Sequence, residues 1–428
     1  MPQRALLEQL FRTAIAAAHP ATCLLQHLPA PPPNGRLIVL AAGKAAGSMA
    51  EVAERRYLDD LQLPTPLVSG LAVTRIGYGR PTRIIPVVEA GHPVPDAAGL
   101  AAAEKTPLLA DAATSDDLVL VLISGGASAN WIAPAKNLTL LEKQDATRAL
   151  LKSGASIDEI NTVRKHLSRI KGGRLAARAY PAPVVSLAIS DVPGDDPTII
   201  GSGPTVPDPS TLADARAIVA RYRLAISDSV AKALDNPENE SPKPQDPIFA
   251  NAQFQLVARP ADAFRAVEAA VQAAGYDCVF LGDRVEGEAR DIATQHARLA
   301  RDLQSQGRRV VIVSGGELTV TISGHGQGGP NQEYALALAI ALDGTKGIAA
   351  LAGDTDGTDG GTGRPDDPAG AYVDGTSVSR ARHSGLDAAA FLANNDSTGF
   401  FFRLGDLVSP GPTFTNVNDF RAIIVDSP

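Results

Sequence analysis

The sequence predicts an α/β protein with a doubly wound architecture in each half, and three observations lead to this fold class. Short apolar runs recur along the chain, and turn residues follow each run at once. Their hydrophobicity is continuous rather than alternating, which is typical of parallel strands covered on both faces. Helix-like stretches, for example Asp262–Ala274 and Ala289–Gln304, lie between the runs. The alternation of strand, loop and helix therefore predicts doubly wound sheets.

Six apolar runs are the expected strands. They cover Arg36–Ala41, Leu118–Ile123, Val184–Ile189, Cys278–Leu281, Val310–Val313 and Ile348–Leu351. Ligands of open parallel sheets bind outside the carboxyl ends of the strands. The loops that leave these runs therefore carry most of the functional information in the sequence.

The chain length and one polar segment predict the division into domains. A chain of 428 residues exceeds the size at which a single hydrophobic core stops growing. The segment Asp235–Pro247 holds four prolines, four acidic residues and no apolar residue, so it cannot bury a face. We expect an N-terminal domain over residues 1–235, a linker over 236–250 and a C-terminal domain over 251–428.

Composition narrows the class of partner. The net charge of -8 and the 4% of aromatic residues disfavour nucleic acid and anionic membrane surfaces. Cys23 and Cys278 are the only cysteines and form neither a zinc motif nor a disulfide framework, which suits a reducing cytosol. No run approaches the roughly 20 apolar residues of a membrane span. A cytoplasmic protein that binds small molecules is expected.

Two glycine-rich loops follow expected strands. SGGAS at Ser124–Ser128 leaves the second strand, and SGGE at Ser314–Glu317 leaves the fifth. Paired glycines let backbone N–H groups converge on an anion, and the serines add donors. A tight turn between strand and helix explains the same residues, so both interpretations stay open.

Two acidic loops follow other strands. SDVPGDD at Ser190–Asp196 places three carboxylates within six residues, which repel one another unless cations or basic groups lie among them. GDTDGTDG at Gly353–Gly360 repeats the pattern without the spacing of an EF-hand. Coordination of a hard cation together with phosphate is favoured over purely structural turns.

Basic residues lie near these loops in an acidic protein. Lys44 follows the first strand at an expected helix start, where a positive charge is unfavourable unless an anion neutralises it. A solvated surface lysine is the alternative. Asn161–Arg174 carries five basic residues and His166 in one expected helical stretch, either as a solvated face or as counter-charge to a phosphate. His92, between Gly91 and Pro93, is expected to be positional rather than a catalytic base.

One pattern competes with this interpretation. Gly324–Gly329 matches G-x-G-x-x-G, the dinucleotide fingerprint, and precedes the helix-like Gln332–Leu342. The strand-like Leu318–Ile322 begins directly after the SGG loop, which favours an antiparallel hairpin over the first strand of a βαβ unit. No Walker A sequence and no protein-kinase signature set is present. An NAD(P)H-dependent hydroxypyruvate reductase is therefore the second hypothesis.

Eight segments, in order and with fitting separation, resemble the glycerate 2-kinases, a bacterial class whose C-terminal half carries the MOFRL module. The segments are EAGHPVPD, SGGASA, NTVRKHLSRIKGGRLA, SDVPGDDPTIIGSGPTVPD, SGGELTV, GGPNQEYALALA, DTDGTDG and GPTFTNVNDFRAIIV. The resemblance implies ATP-dependent phosphorylation of D-glycerate at C2 with Mg²⁺. It also implies a Rossmann-like N-terminal domain, a smaller α/β C-terminal MOFRL domain and a site in the cleft between them. Members are often labelled hydroxypyruvate reductase.

The resemblance places a lysine at Lys44 and acids at Asp191, Asp354 and Asp356. We expect Lys44 to neutralise the transferring phosphoryl group, and Asp191 to orient or deprotonate the hydroxyl. Asp191 and Asp354 are the expected Mg²⁺ ligands. The expected glycerate-binding residues are Ser124, Gly125, Gly126, Ala127, Ser128 and Arg164. The expected ATP-binding residues are Gly315, Gly316, Glu317, Asn331, Asp354 and Asp356.

One position departs from the family pattern. Pro330 stands where some members carry an arginine regarded as important for the transferring phosphate. Proline offers no donor, so another cation is needed, and Arg164, Lys165 and Arg364 are the candidates. A catalytically silent metabolite-binding protein is the third hypothesis. The oligomeric state stays open, with a homodimer as one alternative.

Overall fold

The computed structural model describes residues 3–427. The helices are α1 Gln3–Ala18, α2 Pro20–Cys23, α3 Ala46–Arg55, α4 Ala97–Asp111, α5 Ala127–Asn130, α6 Leu140–Lys152, α7 Ile157–His166, α8 Arg174–Ala179, α9 Leu212–Arg221, α10 Asp228–Asp235, α11 Pro260–Ala273, α12 Ala289–Ser305, α13 Pro330–Ala341, α14 Ser377–His383, α15 Ala388–Ala393 and α16 Ser397–Leu404. The strands are β1 Leu37–Ala42, β2 Val68–Arg75, β3 Val87–Ala90, β4 Leu118–Ile123, β5 Val184–Ile189, β6 Ala252–Ala258, β7 Asp277–Phe280, β8 Gly287–Glu288, β9 Val310–Ser314, β10 Leu318–Thr319, β11 Ile348–Asp354, β12 Gly370–Asp374, β13 Leu407–Val408 and β14 Asp419–Val425.

The first compact unit, Cys23–Val257, contains a six-stranded sheet in the order β3-β2-β1-β4-β5-β6. Strands β1 to β5 all pair in parallel with their neighbours. Every residue of β1 and β4 is buried, because helices cover both faces of a doubly wound sheet. The predicted α/β fold class is confirmed, and the predicted continuous apolar runs are its central strands.

The second compact unit contains a six-stranded sheet in the order β13-β12-β11-β14-β9-β7. The expectation of parallel strands holds for only part of this sheet: β7 pairs in parallel with β9, but β11 is antiparallel to both β12 and β14, and β14 is antiparallel to β9. A continuous apolar run indicates that both faces of a strand are buried, but it does not indicate the direction of the strand. Strands β9 and β11 still run in the same direction, since β14 separates them and opposes both.

The second unit combines the described residues up to Thr22 with those from Ala258 onward. The expected division placed these N-terminal residues in the first domain. In the structure, α1 packs against α11, β11 and β14 of the second unit through buried residues such as Leu7 and Leu10. The expected linker also differs, because it belongs to the first unit and buries Asn239 and Ser241. Strand β6 then extends the first sheet, so that unit ends later than expected.

The basic stretch Asn161–Arg174 is not one helix. Helix α7 ends at His166, and α8 begins at Arg174. Gly172 and Gly173 adopt φ values of 59° and 78° between them, a left-handed backbone that glycine accepts without steric cost. The turn directs the basic residues of this stretch to different neighbours rather than to one solvated face.

No helix within residues 3–427 combines the length and the apolar character that a bilayer crossing requires.

Candidate active site

The carboxyl end of the first sheet gathers three of the predicted loops. Ala42 of β1 lies level with Ile123 of β4, and Ile123 lies level with Ala188 of β5. The chain order reverses between β1 and β4, because β2 and β3 lie on one side of β1 and β4 and β5 on the other. This topological switch point is where doubly wound sheets bind ligands. The loops that begin at Gly43 and Ser124 leave the sheet there.

The two loops at the switch point are joined by hydrogen bonds. The Lys44 N–H donates to the Gly125 carbonyl at 2.8 Å, and the Ala45 N–H donates to Ser124 Oγ at 2.9 Å. Gly43 has a φ of 116°, and a Cβ there would lie 2.3 Å from Ser124 Oγ. A glycine is therefore required at this close approach, and the backbone of Lys44 is held against the SGG loop.

Gly126 forms the concave part of the loop, with a φ of 85° in the left-handed region. A Cβ on Gly126 would lie 3.1 Å from His92 Nε2 and 3.3 Å from Lys44 Cγ. Among the described residues, the N–H groups of Gly125 and Gly126 meet no acceptor. Unpaired N–H groups next to a left-handed residue form an anion-binding nest. The geometry thus favours the anion-binding interpretation over a simple tight turn, and it adds His92 to the site.

Ser128 connects the loop to basic residues. Its Oγ lies 2.8 Å from Ser202 Oγ, and its carbonyl accepts from Arg164 Nη2 at 3.3 Å and from Lys171 Nζ at 3.1 Å. Burial lowers the pKa of the Arg164 guanidinium. Of the three cations considered as replacements for the missing arginine, Arg164 is the one that contacts this loop.

The other two candidate cations are engaged elsewhere. Lys165 Nζ lies 3.4 Å from Asp208 Oδ1, and both side chains are buried. Arg364 pairs with Asp366 at 3.0 Å on an exposed surface. Lys171 also contacts the predicted loop, and its only sequence signal was its place in the basic stretch.

The acidic loop after β5 holds residues of different kinds. Asp191 is half-buried and lies three residues beyond Ala188, at the edge where Lys44 and the SGG loop leave the sheet. Asp196 accepts the Thr198 N–H at 2.8 Å, which is a local turn. Asp195 has a φ of 57°, and its Oδ1 is buried without a donor among the described residues. Asp191 and Asp195 are therefore the carboxylates of this loop that remain candidates for chemistry.

The glycines of the SGGE loop in the second unit allow close packing against neighbouring residues. A Cβ on Gly315 would lie 2.5 Å from Phe264 Cε2, and one on Gly316 would lie 2.2 Å from the Val285 nitrogen. The Gly315 N–H donates to the Gly282 carbonyl at 2.9 Å. Buried Arg421 donates through Nη2 to the Gly315 and Gly316 carbonyls at 2.6 and 2.9 Å. Glu317 follows and is exposed.

Helix α13 begins on a buried acidic side chain. The Asp359 carboxylate accepts the N–H groups of Asn331 and Gln332 at 3.0 and 2.8 Å. Asn331 Nδ2 also donates to Asp419 Oδ1 at 2.7 Å. Burial, and then the negative charge of Asp419, raise the pKa of Asp359 to about 7. Asn331 is thus engaged with two buried acids. Asp359 belongs to the acidic loop that the sequence predicted, whereas no sequence signal pointed to Asp419 or Arg421.

Asp354 and Asp356 lie at the end of β11. The Asp354 carboxylate accepts the Asp356 N–H at 2.9 Å and stays half-buried, whereas Asp356 is buried and accepts the Thr358 N–H at 2.7 Å. Their oxygen donors fit Mg²⁺, which is bound in enzymes by one or two carboxylates plus substrate phosphates. In the described part of the chain, no three His, Cys, Asp or Glu side chains form a metal cluster.

The Gly324–Gly329 loop does not have the context of a dinucleotide fingerprint. Strand β10 is two residues long and pairs in parallel with β8, so the expected antiparallel hairpin was wrong and no βαβ unit begins there. A Cβ on Gly324 would lie 2.3 Å from the Asn394 carbonyl oxygen, and one on Gly328 would lie 2.1 Å from Ser397 Oγ. These glycines allow close packing against residues 394–397.

Fold and site together define a class: an α/β protein whose first sheet presents a glycine-rich loop and a lysine at its switch point. The chain belongs to the glycerate 2-kinase family, as its resemblance implied. Residues 6–235 match a family described as a domain of unknown function (DUF4147), and residues 310–419 match the MOFRL family.

The relatives agree with this membership. A D-glycerate 2-kinase of Thermotoga maritima is 38% identical, over 90% of this chain and 89% of its own length. A protein of Agrobacterium vitis with the provisional name hydroxypyruvate reductase is 46% identical, over 99% of this chain and 94% of its own. The crystal structure of a glycerate kinase from Thermotoga maritima superposes with a TM-score of 0.85 at 36% identity, covering 98% of this chain and 99% of that one.

Proposed function

We propose that this protein is a glycerate 2-kinase that transfers the γ-phosphoryl group of ATP to the C2 hydroxyl of D-glycerate. The observation that carries the proposal is the junction of Lys44 with the SGG loop, where the Lys44 N–H donates to the Gly125 carbonyl at 2.8 Å. The names of relatives that are 38% identical over most of the chain supply the substrate. A cytoplasmic location and a homodimer stay predictions.

The acceptor binds at the first sheet in this proposal. The N–H groups of Gly125 and Gly126, with Ser124, Ala127 and Ser128 around them, hold the glycerate carboxylate. Arg164 lies behind this loop and adds positive charge. Asp191 orients the C2 hydroxyl and takes its proton as the new oxygen–phosphorus bond forms. The bond between the γ-phosphorus and the bridging oxygen breaks, and ADP leaves.

Lys44 acts on the transferring group. Its ammonium neutralises charge that is spread over the phosphoryl oxygens in the transition state, and phosphoryl transfer depends mainly on such neutralisation and on positioning. The family arginine that Pro330 replaces is not needed if Lys44 and Arg164 together supply the positive charge. Lys44 Cγ would lie 3.3 Å from a Cβ on Gly126, and Arg164 Nη2 donates to the Ser128 carbonyl at 3.3 Å. Because both cations thus lie at the SGG loop, we assign them this joint role.

ATP is assigned to the second unit. The half-buried Asp354 would hold Mg²⁺ there, and the Asp356 N–H donates to its carboxylate at 2.9 Å. Mg²⁺ supplies charge neutralisation on the ATP phosphates when bound. Gly315, Gly316 and Glu317 shape the loop next to it. Asn331 contributes indirectly in this proposal, since it fixes Asp359 and Asp419.

One assay tests the proposal. Purified protein is incubated with D-glycerate, ATP and Mg²⁺, and ADP release is followed together with ³¹P NMR of the product. A phosphate ester at C2 couples to one proton and gives a doublet, whereas an ester at C3 couples to two protons and gives a triplet. A doublet that appears with ADP is the expected result. Absence of glycerate-dependent ADP release would refute the kinase.

The reductase is the second candidate, because relatives carry that provisional name. NADH oxidation with hydroxypyruvate tests it in the same preparation. We expect no oxidation, since the Gly324–Gly329 loop packs against residues 394–397 and leaves no space for a pyrophosphate. Failure of both assays would leave the metabolite-binding hypothesis, which glycerate binding measured by calorimetry then tests.

A further inference from the structure

Lys171 is a buried cation whose hydrogen bonds all go to uncharged oxygens. The side chain is 2% exposed. Its Nζ donates to the Ser128 carbonyl at 3.1 Å, to the Gly201 carbonyl at 3.4 Å and to Ser202 Oγ at 3.4 Å. Among the described residues, no carboxylate accepts from this ammonium group. A buried ammonium without a counter-ion is costly, so an anion brought nearby would stabilise it.

The charged groups nearest to Lys171 are positive as well. Burial, followed by the charges of Arg164 and Lys143, lowers the pKa of the Lys171 ammonium well below its ordinary value. Lys143 is equally buried, but its hydrogen bond goes to the Leu167 carbonyl at 2.7 Å and not to the SGG loop. The first unit thus collects positive charge behind Ser128 in a protein of net charge -8.

The turn on the other side of Lys171 is conformationally unfavourable. Gly201, Ser202 and Gly203 have φ values of 60°, 63° and 59°, and Ser202 is not a glycine. The Gly172 N–H donates to the Ser202 carbonyl at 3.0 Å, and the Gly173 N–H donates to the Gly203 carbonyl at 2.7 Å. A non-glycine residue persists in this region only when its surroundings hold it. Here the turn keeps Ser202 Oγ 2.8 Å from Ser128 Oγ.

We propose that Lys171 is a positioning residue for the acceptor substrate. It fastens the Ser124–Ser128 loop to the Gly201–Gly203 turn. A carboxylate bound at the N–H groups of the loop favours the charged form of Lys171, and that charge then lies behind the bound carboxylate. Lys171 does not touch the reacting atoms. This role rests on the proposed glycerate site, and it concerns the binding of the acceptor rather than the transfer step.

The test compares Lys171→Met with Lys143→Met, which removes an equally buried lysine whose hydrogen bond goes to Leu167 and not to the SGG loop. We expect Lys171→Met to raise the KM for D-glycerate roughly ten- to hundredfold, as for a lost charged hydrogen bond. The kcat and the KM for ATP should stay within about threefold, because the ATP groups are elsewhere. Calorimetry with D-glycerate alone should show the same loss of affinity. Lys143→Met should lower thermal stability and leave the KM for glycerate within about twofold.

Two results would overturn the proposal: a native KM for glycerate in Lys171→Met, or the same rise in both variants. If Lys171→Met does not fold, Ser202→Ala is the substitute variant. It removes the Ser202 hydroxyl, which accepts from Lys171 Nζ and is hydrogen-bonded to Ser128 Oγ. It should raise the KM for glycerate about threefold or more, and an unchanged KM would count against the role. If the native protein binds glycerate without releasing ADP, the proposed kinase activity is refuted but the glycerate site is not. Calorimetry of the Lys171→Met and Lys143→Met variants with D-glycerate then still tests the role of Lys171.

Discussion

The backbone N–H of Lys44 donates to the carbonyl of Gly125 at 2.8 Å. This bond joins the loop after β1 to the loop after β4, so the lysine that we assign to the phosphoryl group is held by the loop that we assign to the acceptor. A change in one loop is therefore expected to alter both binding of the acceptor and transfer.

Replacing the Lys44 side chain tests the charge at the switch point. We expect Lys44→Ala to lower kcat about 10²- to 10³-fold, because one preorganised group that stabilises transition-state charge is worth that much. ADP release with saturating substrates measures it. Lys105→Ala, which removes an exposed lysine of α4, should keep native turnover. Full activity of Lys44→Ala would refute the role given to this residue.

Gly126→Ala tests the anion nest against a matched position. Gly126 and Gly154 both have positive φ values, 85° and 77°, so alanine at either site costs about 1 kcal/mol of stability. A Cβ at Gly154 meets nothing within 4 Å, whereas one at Gly126 meets His92 and Lys44. We expect both variants to lose similar stability in thermal unfolding, and only Gly126→Ala to lose glycerate affinity. Equal glycerate KM values in the two variants would contradict the nest.

Arg421→Met tests the buried support of the SGGE loop. The change removes the donors for the Gly315 and Gly316 carbonyls. It also removes Arg421 Nη1, which lies 3.2 Å from Asp419 Oδ2 in the native protein. Leaving a buried charge without its partner costs about 3–5 kcal/mol. Denaturant unfolding should show that loss, and ADP affinity should fall. Adding Asp419→Asn should recover part of the stability, and a double variant no more stable than the single one would contradict the pairing.

The buried acid at the start of α13 predicts a pH dependence of stability. The pKa of Asp359 is raised from 3.8 to about 7, so between about pH 4 and pH 7 the folded state keeps a proton that the unfolded state has lost. The contribution of this proton to the free energy of unfolding is fully present below about pH 4. It falls by up to about 1.4 kcal/mol per pH unit as the pH rises through that window.

Asp359→Asn should remove this part of the slope, because asparagine does not titrate. Its single carbonyl oxygen keeps one of the two hydrogen bonds that the Asp359 oxygens accept from the N–H groups of Asn331 and Gln332. Burial also raises the pKa of Asp419, so a slope of the same sign should remain. Unfolding free energies at pH 5 and pH 8 measure the difference. The exposed control Asp302→Asn should keep the native slope, and an unchanged slope in Asp359→Asn would show that Asp359 is ionised throughout.

Much of the first unit could be predicted from local sequence. The apolar runs at β1, β4 and β5 lie within one residue of their predicted bounds, and Lys44, the SGG loop and Asp191 follow them at one edge of the sheet. Burial on both faces leaves a continuous apolar run in the sequence, and the glycines mark the turns. In a parallel sheet these two local signals also determine on which edge the loops lie.

The second unit depended on contacts that no local pattern encodes. Strand β14 enters between β9 and β11 from the end of the chain, and it brings Arg421 to Ser314, which is 107 residues away in sequence. It also brings Asp419 to Asn331 and Asp359. The direction and order of the strands depend on which surfaces pack best across the whole chain. Hydrophobic periodicity predicts neither the direction nor the order.

The sequence by itself determined the fold class, the family and the loops that carry Lys44, Ser124–Ser128 and Asp191. The tertiary structure alone decided that the SGGE loop is held by Arg421, that α13 begins on Asp359 and that Lys171 lies behind Ser128. The physical reason is the range of the interactions. Burial and turn formation act on neighbouring residues and leave a local pattern, whereas buried charges find their partners only after distant segments have packed together.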